Sequence, residues 1–355
     1  MLNFALVGCG RIAKRHSELL GFGQIKGARL VSVCDSVLSK SEKIGKQFKV
    51  SFYTDMDEMM QSESIDIVVV LTPSGLHSEH VVNLSKYGKH IVVEKPMALS
   101  VKDTEKMIFA CDANNIKLFV IKQNRFNVPV VKLREAVESG RFGKLTLGTV
   151  RVRWARHQAY YDQDPWRGTW SMDGGVLTNQ ASHHVDMLEW MMGDVESVFA
   201  KMTTALANVE TEDTAIVTLK FKSGALGIIE ATTAARPTNL EGSISILGEN
   251  GTVVVGGVAV NEMQTWVFTD EQEGDSNVLQ EFSVNPPNVY GFGHYSYYEH
   301  VVDCVKNGGS NLVDGLQGRK SIELISAIYE SAETGKEVFL KFQPKHCRLG
   351  QKSSI

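Results

Sequence analysis

The sequence of 355 residues lacks the features that mark several classes of protein. Its five cysteines form no C-x-x-C pair, and this odd, scattered set predicts reduced thiols rather than a disulfide framework. No run of about 18 apolar residues is present, so we expect no membrane-spanning helix. The chain enters an apolar run at once, without a basic segment or cleavage pattern, so we expect no signal peptide and a cytoplasmic protein.

Neither sign of charge dominates the sequence. The formal net charge is −4, which provides no long-range attraction to nucleic acid or to anionic membranes. We therefore expect neither as a partner. The length suggests two domains rather than one core.

The most informative motif lies at residues 4–13, which read F-A-L-V-G-C-G-R-I-A. A short apolar run is followed by Gly8 and Gly10 and then by a helical pattern, which predicts strand, tight turn and helix. Gly8 allows the turn, Gly10 lets a diphosphate approach the backbone, and the helix N-terminus presents N–H groups to that anion.

A second apolar run, A-R-L-V-S-V-C-D, ends at Asp35. A carboxylate there could accept hydrogen bonds from the ribose hydroxyls of NAD and would repel the extra phosphate of NADP. Strand, turn, helix and spaced acid together predict NAD as the cofactor. The alternative is a structural glycine turn in an ordinary α/β unit.

Five nearly continuous apolar runs occupy the first third of the chain: FALVG, ARLVSVCD, DIVVVLTP, HIVVEKP and KLFVIKQN. Helical stretches near 12–20, 38–47, 77–87 and 101–114 separate them. Continuous runs indicate strands covered on both faces, and this alternation predicts a doubly wound parallel sheet.

The pattern changes after Gly143, where apolar and polar residues alternate along several runs. Alternation predicts a mostly antiparallel, open sheet with one face in water. Helices are expected at about 180–192, 294–307 and 318–334. The predicted α/β architecture is a dinucleotide-binding domain at 1–125, an α+β substrate and oligomerisation domain at 126–344, and a polar tail at 345–355, with a ligand cleft between the domains.

Glu94-Lys95-Pro96 ends one of the predicted parallel strands, at the ligand side of the sheet. A lysine there could hold both a substrate hydroxyl and the nicotinamide ribose. The alternative is a surface lysine before a turn. Pro96 is a candidate for a cis peptide bond.

The segment 174–186 places Asn179, His183 and Asp186 at helical spacing, so we expect them on one helix face. His183 can act as a general base near neutral pH. One alternative is a core histidine paired with Asp186. A metal site that includes His184 is another, but adjacent histidines point to different sides of a helix and no third ligand motif is present.

Two further segments could meet a negatively charged ligand. Arg167, in the run W-R-G-T-W, could clamp a carboxylate or phosphate, although a structural tryptophan pair with a surface arginine is the alternative. The late run G-F-G-H ends at His294 and opens a helix whose N–H groups could meet an anion, and a turn before a helix explains it equally well.

Taken in order, the motifs G-C-G-R-I-A, T-P-S-G-L-H, E-K-P, N-R-F-N and G-G-V-L-T-N-Q-A-S-H-H-V-D resemble the Gfo/Idh/MocA oxidoreductase family. The resemblance covers residues 4–342. Within the family, the runs K-Q-N-R, W-R-G-T-W, L-T-N-Q-A-S-H and G-F-G-H resemble the UDP-N-acetylglucosaminuronate 3-dehydrogenases of bacterial surface-polysaccharide pathways.

The resemblance implies roles for individual residues. The expected catalytic residues are Lys95 and His183, and no metal is expected. The expected cofactor-binding residues are Gly8, Gly10, Arg11, Ile12, Asp35, Thr72, Pro73, His77, Glu94, Lys95, Gln123, Trp166 and Arg167. The expected substrate-binding residues are Lys95, Arg125, Arg167, Asn179, His183 and His294.

Two positions depart from the family pattern. Asn179 stands where the family commonly has an aspartate, and because an amide cannot exchange a proton it would orient the sugar and leave proton transfer to His183. Ile121 stands where a glycine is usual, which leaves the cofactor contact of that strand end open.

The resemblance implies oxidation of the C3 hydroxyl of a UDP-sugar acid by NAD, in a homodimer or homotetramer. One alternative within the family is an inositol or other free-sugar dehydrogenase. Another, of a different class, is a sensor of NAD or sugar nucleotide without catalysis, against which the presence of both Lys95 and His183 argues.

Overall fold

The computed structural model describes residues 1–283, 291–341 and 347–350. The chain divides into two compact units. The first unit comprises Met1–Lys122 and His294–Ile322, and the second comprises Gln123–Gly293 and Glu323–Ile355. The segment His294–Ile322 thus groups with the N-terminal residues, although it is far from them in sequence.

A parallel sheet forms the centre of the first unit. Its strands are β1 (Leu2–Val7), β2 (Ala28–Cys34), β3 (Ser51–Tyr53), β4 (Ile67–Val70), β5 (His90–Val93) and β6 (Leu118–Val120). They lie in the order β3-β2-β1-β4-β5-β6, and all their pairings are parallel. The strand order reverses between β1 and β4. Open parallel sheets bind their ligands at this point, next to the carboxyl ends of the strands. The predicted doubly wound sheet is confirmed.

The second unit is built on a larger sheet. Its strands are β7 (Leu145–Arg153), β8 (Val195–Thr203), β9 (Thr214–Phe221), β10 (Leu226–Thr232), β11 (Glu241–Gly248), β12 (Gly251–Gly256), β13 (Glu262–Phe268) and β14 (Val338–Phe339). They lie in the order β13-β12-β11-β7-β10-β9-β8-β14. The β7–β10 pairing is parallel and the others are antiparallel, so the predicted mostly antiparallel sheet is confirmed.

The helices of the described residues are α1 (Ala13–Gly21), α2 (Leu38–Phe48), α3 (Met56–Ser62), α4 (His77–Ser85), α5 (Val101–Ala113), α6 (Val128–Glu138), α7 (Gln158–Tyr161), α8 (Ser182–Met192), α9 (Val278–Glu281), α10 (Gly293–Lys306) and α11 (Gly315–Thr334). None of these helices combines the length and the apolar character needed to cross a bilayer.

The burial of the strands explains why apolar residues are continuous in the first sheet and alternate with polar residues in the second. All four residues of β4 are buried, because helices cover a parallel sheet on both faces. In β9 every second residue is exposed, and the buried set is Ala215, Val217, Leu219 and Phe221. The helix α8 packs on β7 and β11. The opposite face of the sheet carries exposed apolar side chains: Phe199, Ile216, Leu226 and Ile228.

Candidate active site

The glycine turn of the first unit follows β1. Gly8 has φ +100°, and a Cβ atom there would lie 2.7 Å from the carbonyl carbon of Leu71. Only glycine fits this position without displacing the backbone of the neighbouring strand end. A Cβ atom on Gly10 would meet nothing within 4 Å, so the space beside that residue is open to a ligand.

The turn leads into the N-terminus of α1. The backbone N–H groups of Gly10 and Ile12 have no hydrogen-bond partner within the described ranges. Arg11 lies between them and is exposed. The first N–H groups of a helix attract anions, and the turn therefore fits a diphosphate.

Asp35 directly follows β2 and lies beside the glycine turn. One carboxylate oxygen accepts a hydrogen bond of 2.8 Å from Cys9 N, and the other accepts one of 2.9 Å from Val37 N. The carboxylate thus braces the turn, and each oxygen keeps a lone pair for a ribose hydroxyl. Turn, helix end and acid together fit the binding of NAD.

Replacing Asp35 by asparagine is expected to raise the use of NADP relative to NAD by about tenfold or more. The amide keeps one acceptor for the turn but no longer repels a 2′-phosphate. The ratio of kcat/KM for the two cofactors measures the change, with Asp112→Asn, at an exposed position of α5, as control. An unchanged ratio would contradict the assignment.

The next two strands bring further predicted residues to the same edge of the sheet. Thr72 and Pro73 follow β4, and the N atom of Thr72 lies 2.9 Å from the Cβ position that Gly8 lacks. Lys95 follows β5, is partly exposed, and joins Pro96 through a cis peptide bond. The first unit therefore places the glycine turn, Asp35, Thr72 and Lys95 at the carboxyl edge of one sheet.

Three residues of the predicted site are buried inside the first unit instead. His77 has one ring nitrogen 2.8 Å from the carbonyl oxygen of Pro96 and the other 2.8 Å from that of Thr72. Glu94 and His294 are also buried and lie next to each other. The side chains of His77 and Glu94 are engaged within the unit, whereas neither ring nitrogen of His294 has a hydrogen-bond partner among the described residues. This burial argues against the expectation that Glu94 and His77 face the cofactor and that His294 faces the substrate, and the expectation stays a prediction.

The second unit contains the predicted catalytic histidine. His183 lies in the first turn of α8 and is 8% exposed. Asn179 does not share that helix, because Val176–Gln180 forms a separate π-helical turn that ends before Ser182. The expectation of one continuous helix face is therefore wrong for Asn179. Irregular turns of this kind are frequent at functional sites.

Asn179 is held by its neighbours. Its amide nitrogen donates to the carboxylate of Asp173, and its side-chain oxygen accepts a hydrogen bond of 2.8 Å from Gln180. Asp173 also accepts from Gly168 N at 2.8 Å. Asp173 was not among the predicted site residues, although an acid directly before two glycines is a visible signal in the sequence. This carboxylate sets the direction of the Asn179 amide.

Arg125 is bound within the second unit. Its Nε and Nη2 atoms each donate to the carboxylate of Asp186 at 2.8 Å, and both side chains are buried. The guanidinium also lies over the ring of Trp190, 4.7 Å from its centroid. This bidentate pair corrects the expectation that Arg125 is available to a charged substrate, and it occupies both oxygens of Asp186.

Two of the three guanidinium nitrogens of Arg167 donate hydrogen bonds to side chains of the second unit. Its Nε donates to Asp164 at 3.0 Å, and one Nη donates to the hydroxyl of Tyr160 at 2.8 Å. The guanidinium stacks on Tyr160 and on Trp166, 4.7 and 4.5 Å from the ring centroids. Within the part of the chain that the structure describes, these contacts use Nε and Nη1 and leave the Nη2 amino group for a ligand.

Gln123 opens the second unit and is buried, 5% exposed. Its side-chain oxygen has no hydrogen-bond partner in the part of the chain that the structure describes. A buried acceptor without a donor is costly, so this atom suits a ligand that brings an N–H group.

The turn before His183 is held by a buried hydrogen-bond network whose members were not among the predicted residues. The carboxylate of Glu212 accepts from Leu177 N at 3.0 Å and from the Tyr329 hydroxyl at 2.8 Å. The same hydroxyl accepts from Thr178 at 2.9 Å and from Gly175 N at 3.2 Å. Burial raises the pKa of Glu212 to about 7 in spite of these bonds. Since Glu212 and Tyr329 are 117 residues apart, no local pattern could reveal the network.

The raised pKa predicts a pH-dependent stability. Between the ordinary carboxyl pKa of 4.5 and about 7, the unfolded chain loses this proton while the folded chain keeps it. The stabilisation is therefore complete below pH 4.5 and is lost as the pH rises through about 7, a change of roughly 3 kcal/mol. We expect Glu212→Gln, which stays neutral, to remove this slope in unfolding experiments between pH 5 and 8. The exposed Glu273→Gln should keep it, and an identical slope in both variants would contradict the prediction.

His184, next to His183, belongs to the core. It is fully buried and lies edge-on to Trp154, with ring centroids 5.8 Å apart. Burial lowers its pKa to about 3, so the ring is neutral.

Comparisons with known proteins agree with this geometry. Residues 2–122 match the model of an oxidoreductase family with an NAD-binding Rossmann fold, and residues 134–340 match the C-terminal α/β domain of the same family. The chain is 29% identical to myo-inositol 2-dehydrogenase of Thermotoga maritima over 96% of its own length and 99% of that protein.

Two solved structures are more similar. A WlbA dehydrogenase from Bordetella pertussis, in complex with NADH and UDP-GlcNAcA, is 42% identical, with a TM-score of 0.91 over 95% of this chain and 97% of that one. A WlbA dehydrogenase from Chromobacterium violaceum, with the same two ligands, is 42% identical, with a TM-score of 0.89 over 95% of each chain. The chain is an NAD-dependent dehydrogenase that belongs to the Gfo/Idh/MocA oxidoreductase family.

Proposed function

We propose that this dehydrogenase oxidises the C3 hydroxyl of UDP-N-acetylglucosaminuronate to a ketone, as a step in the synthesis of a surface polysaccharide. The observation that carries the proposal is the 42% identity, over 95% of the chain, to a dehydrogenase whose structure holds NADH and UDP-GlcNAcA. The finer assignment of the sugar rests on that similarity together with the side chains described above.

The proposed chemistry divides between proton and hydride. His183 takes the proton of the sugar hydroxyl as general base. NAD held at the glycine turn and Asp35 would supply the redox chemistry, as the acceptor of the hydride from the carbon that bears this hydroxyl. The carbon–oxygen single bond becomes a carbonyl. Both electrons leave with the hydride, so no further oxidant is needed. Lys95 donates a hydrogen bond to the oxygen and stabilises the negative charge that develops on it.

Other residues are proposed to bind and orient the ligands. The Nη2 group of Arg167 suits a carboxylate or phosphate of the sugar nucleotide. The Asn179 amide, fixed by Asp173, would orient the sugar ring. The buried oxygen of Gln123 would accept the N–H of the nicotinamide carboxamide.

A hydride-transfer assay with a panel of sugars tests the proposal. NADH formation at 340 nm should be fastest with UDP-N-acetylglucosaminuronate, slower with UDP-N-acetylglucosamine, and negligible with free inositols. Faster oxidation of an inositol or a free aldose would favour the second candidate, which the identity of 29% to an inositol dehydrogenase supports. NAD binding without turnover of any sugar would favour a non-catalytic sensor.

We also propose that the protein is a homodimer or homotetramer. The exposed apolar residues on the outer face of the large sheet, such as Ile216 and Ile228, form a surface that a second copy could cover. Sedimentation velocity measures the mass directly, and a monomer at micromolar concentration would contradict this proposal.

A further inference from the structure

Glu94 is a buried acid directly before the proposed catalytic lysine. It follows β5 and is 6% exposed. An ionised carboxylate inside a protein costs several kcal/mol unless donors compensate the charge. The hydrogen-bond donors that compensate the buried charge of Glu94 therefore indicate the role of this residue.

One oxygen of Glu94 bonds to the residue that follows it. The Oε2 atom accepts a hydrogen bond of 2.8 Å from the backbone N–H of Lys95. This bond restricts the peptide plane from which the Lys95 side chain leaves the backbone.

The other oxygen belongs to a chain of buried side chains. His16 Nε2, from α1, lies 3.1 Å from Oε1 of Glu94, and His16 Nδ1 lies 2.6 Å from the hydroxyl of Tyr298 on α10. One neutral tautomer satisfies both contacts, because Nε2–H donates to the carboxylate while Nδ1 accepts from the hydroxyl. Both His16 and Tyr298 are fully buried.

The side chains around Glu94 keep it ionised. Burial alone would raise its pKa, but the hydrogen bond from His16 and the nearby His294 outweigh burial and hold the pKa well below its ordinary value. His294 Nε2 lies 4.0 Å from the carboxylate, beyond hydrogen-bonding distance, and burial lowers the pKa of His294 itself.

His77 contacts the residue that follows Lys95. It begins α4 and contacts the carbonyl oxygens of Pro96 and Thr72, both at 2.8 Å. Side chains from three helices thus fix the two residues that flank Lys95, while Lys95 itself is partly exposed.

We propose that Glu94 and His16, anchored by Tyr298, are positioning residues that set the direction of the Lys95 side chain for catalysis. The inference rests on the proposed role of Lys95 and deepens it. A displacement of about 1 Å in a reacting group can cost 10²-fold in rate, so a buried frame of this kind has catalytic consequences without touching a ligand.

The experiment compares Glu94→Gln and His16→Phe with the wild-type protein, using the sugar that is oxidised fastest. Each variant should lower kcat by about ten- to a hundredfold, while the KM for the sugar and the Kd for NAD change less than threefold. His90→Gln, at the opposite end of β5, is the matched control and should keep kcat within twofold.

A background variant separates positioning from a general structural defect. If Glu94 acts through Lys95, then Glu94→Gln should cost nothing further in a protein that already carries Lys95→Ala. A loss that multiplies with that of Lys95→Ala would overturn the proposal. So would a kcat within twofold of wild type in both single variants.

A measurement that needs no substrate tests the positioning of Lys95 even if the proposed function is wrong. Amine labelling followed by mass spectrometry should show a changed rate at Lys95 in Glu94→Gln, by threefold or more, with no change at the exposed Lys102. If no sugar is oxidised, the proposed function fails while this measurement still decides the inference, and an unchanged rate at Lys95 overturns it.

Metal analysis tests the rival explanation of the same cluster. The ligand atoms of His16, Glu94 and His294 all lie within 4.8 Å of one another, a spacing that could hold a metal ion. Absence of metal from active protein supports the hydrogen-bonded frame. One equivalent of bound metal that His294→Ala removes would overturn it.

Discussion

Turnover should fall by about 100-fold or more when either His183 or Lys95 is replaced by alanine, with the Kd for NAD nearly unchanged. Loss of His183 removes the proposed base, and loss of Lys95 removes the charge that stabilises the alkoxide. Neither change touches the glycine turn or Asp35, where the adenosine and diphosphate groups are expected to bind. Steady-state kinetics and calorimetric titration with NAD measure the two effects separately.

The matched control is His157→Ala, an exposed histidine of the same unit as His183, which should retain turnover. A deuterium label on the carbon that loses hydride adds a second test. If chemistry limits the rate in the variants, the isotope effect on kcat should grow when His183 or Lys95 is lost. Near-normal turnover in both alanine variants would defeat the catalytic assignment.

Replacing Arg125 by methionine should lower the free energy of unfolding by about 3–5 kcal/mol. The change leaves the carboxylate of Asp186 buried without the bidentate partner that now donates two bonds of 2.8 Å to it. It also removes the stacking of the guanidinium on Trp190. Denaturant unfolding monitored by tryptophan fluorescence measures the loss.

Two further variants make this prediction specific. The double variant Arg125→Met/Asp186→Leu should recover part of the loss, because it removes the uncompensated charge as well. Lys220→Met breaks an exposed ion pair with Glu196, in which the side chains are 51% and 39% exposed, and should cost less than about 1 kcal/mol. If Arg125→Met unfolds like the wild type and raises the KM for the sugar, the substrate role first expected for Arg125 would return.

The sheets and their order of appearance were predictable because hydrophobic periodicity is a local property. Continuous runs of valine and isoleucine predicted the parallel strands, and alternation predicted the open sheet. The glycine turn and Asp35 were predictable for the same reason, since a strand, a turn and a helix that follow one another leave little choice of geometry.

The separation of Asn179 from the helix of His183 could not be predicted from the sequence. A spacing of four residues is helical by pattern, but the buried hydroxyl of Tyr329 and the carboxylate of Glu212 hold the backbone in a separate turn. The competing hydrogen bonds come from a strand start and a late helix. No property of residues 174–186 alone indicates them.

The sequence by itself determined the two sheet types and the cofactor turn, and it supplied the proposed catalytic roles of Lys95 and His183. Only the tertiary structure decided which polar side chains are satisfied inside the protein. It pairs Arg125 with Asp186, 61 residues away, and His16 with Tyr298, 282 residues away. The physical reason is that a buried charge must find its partner wherever the fold brings one, and that partner leaves no trace in the local sequence.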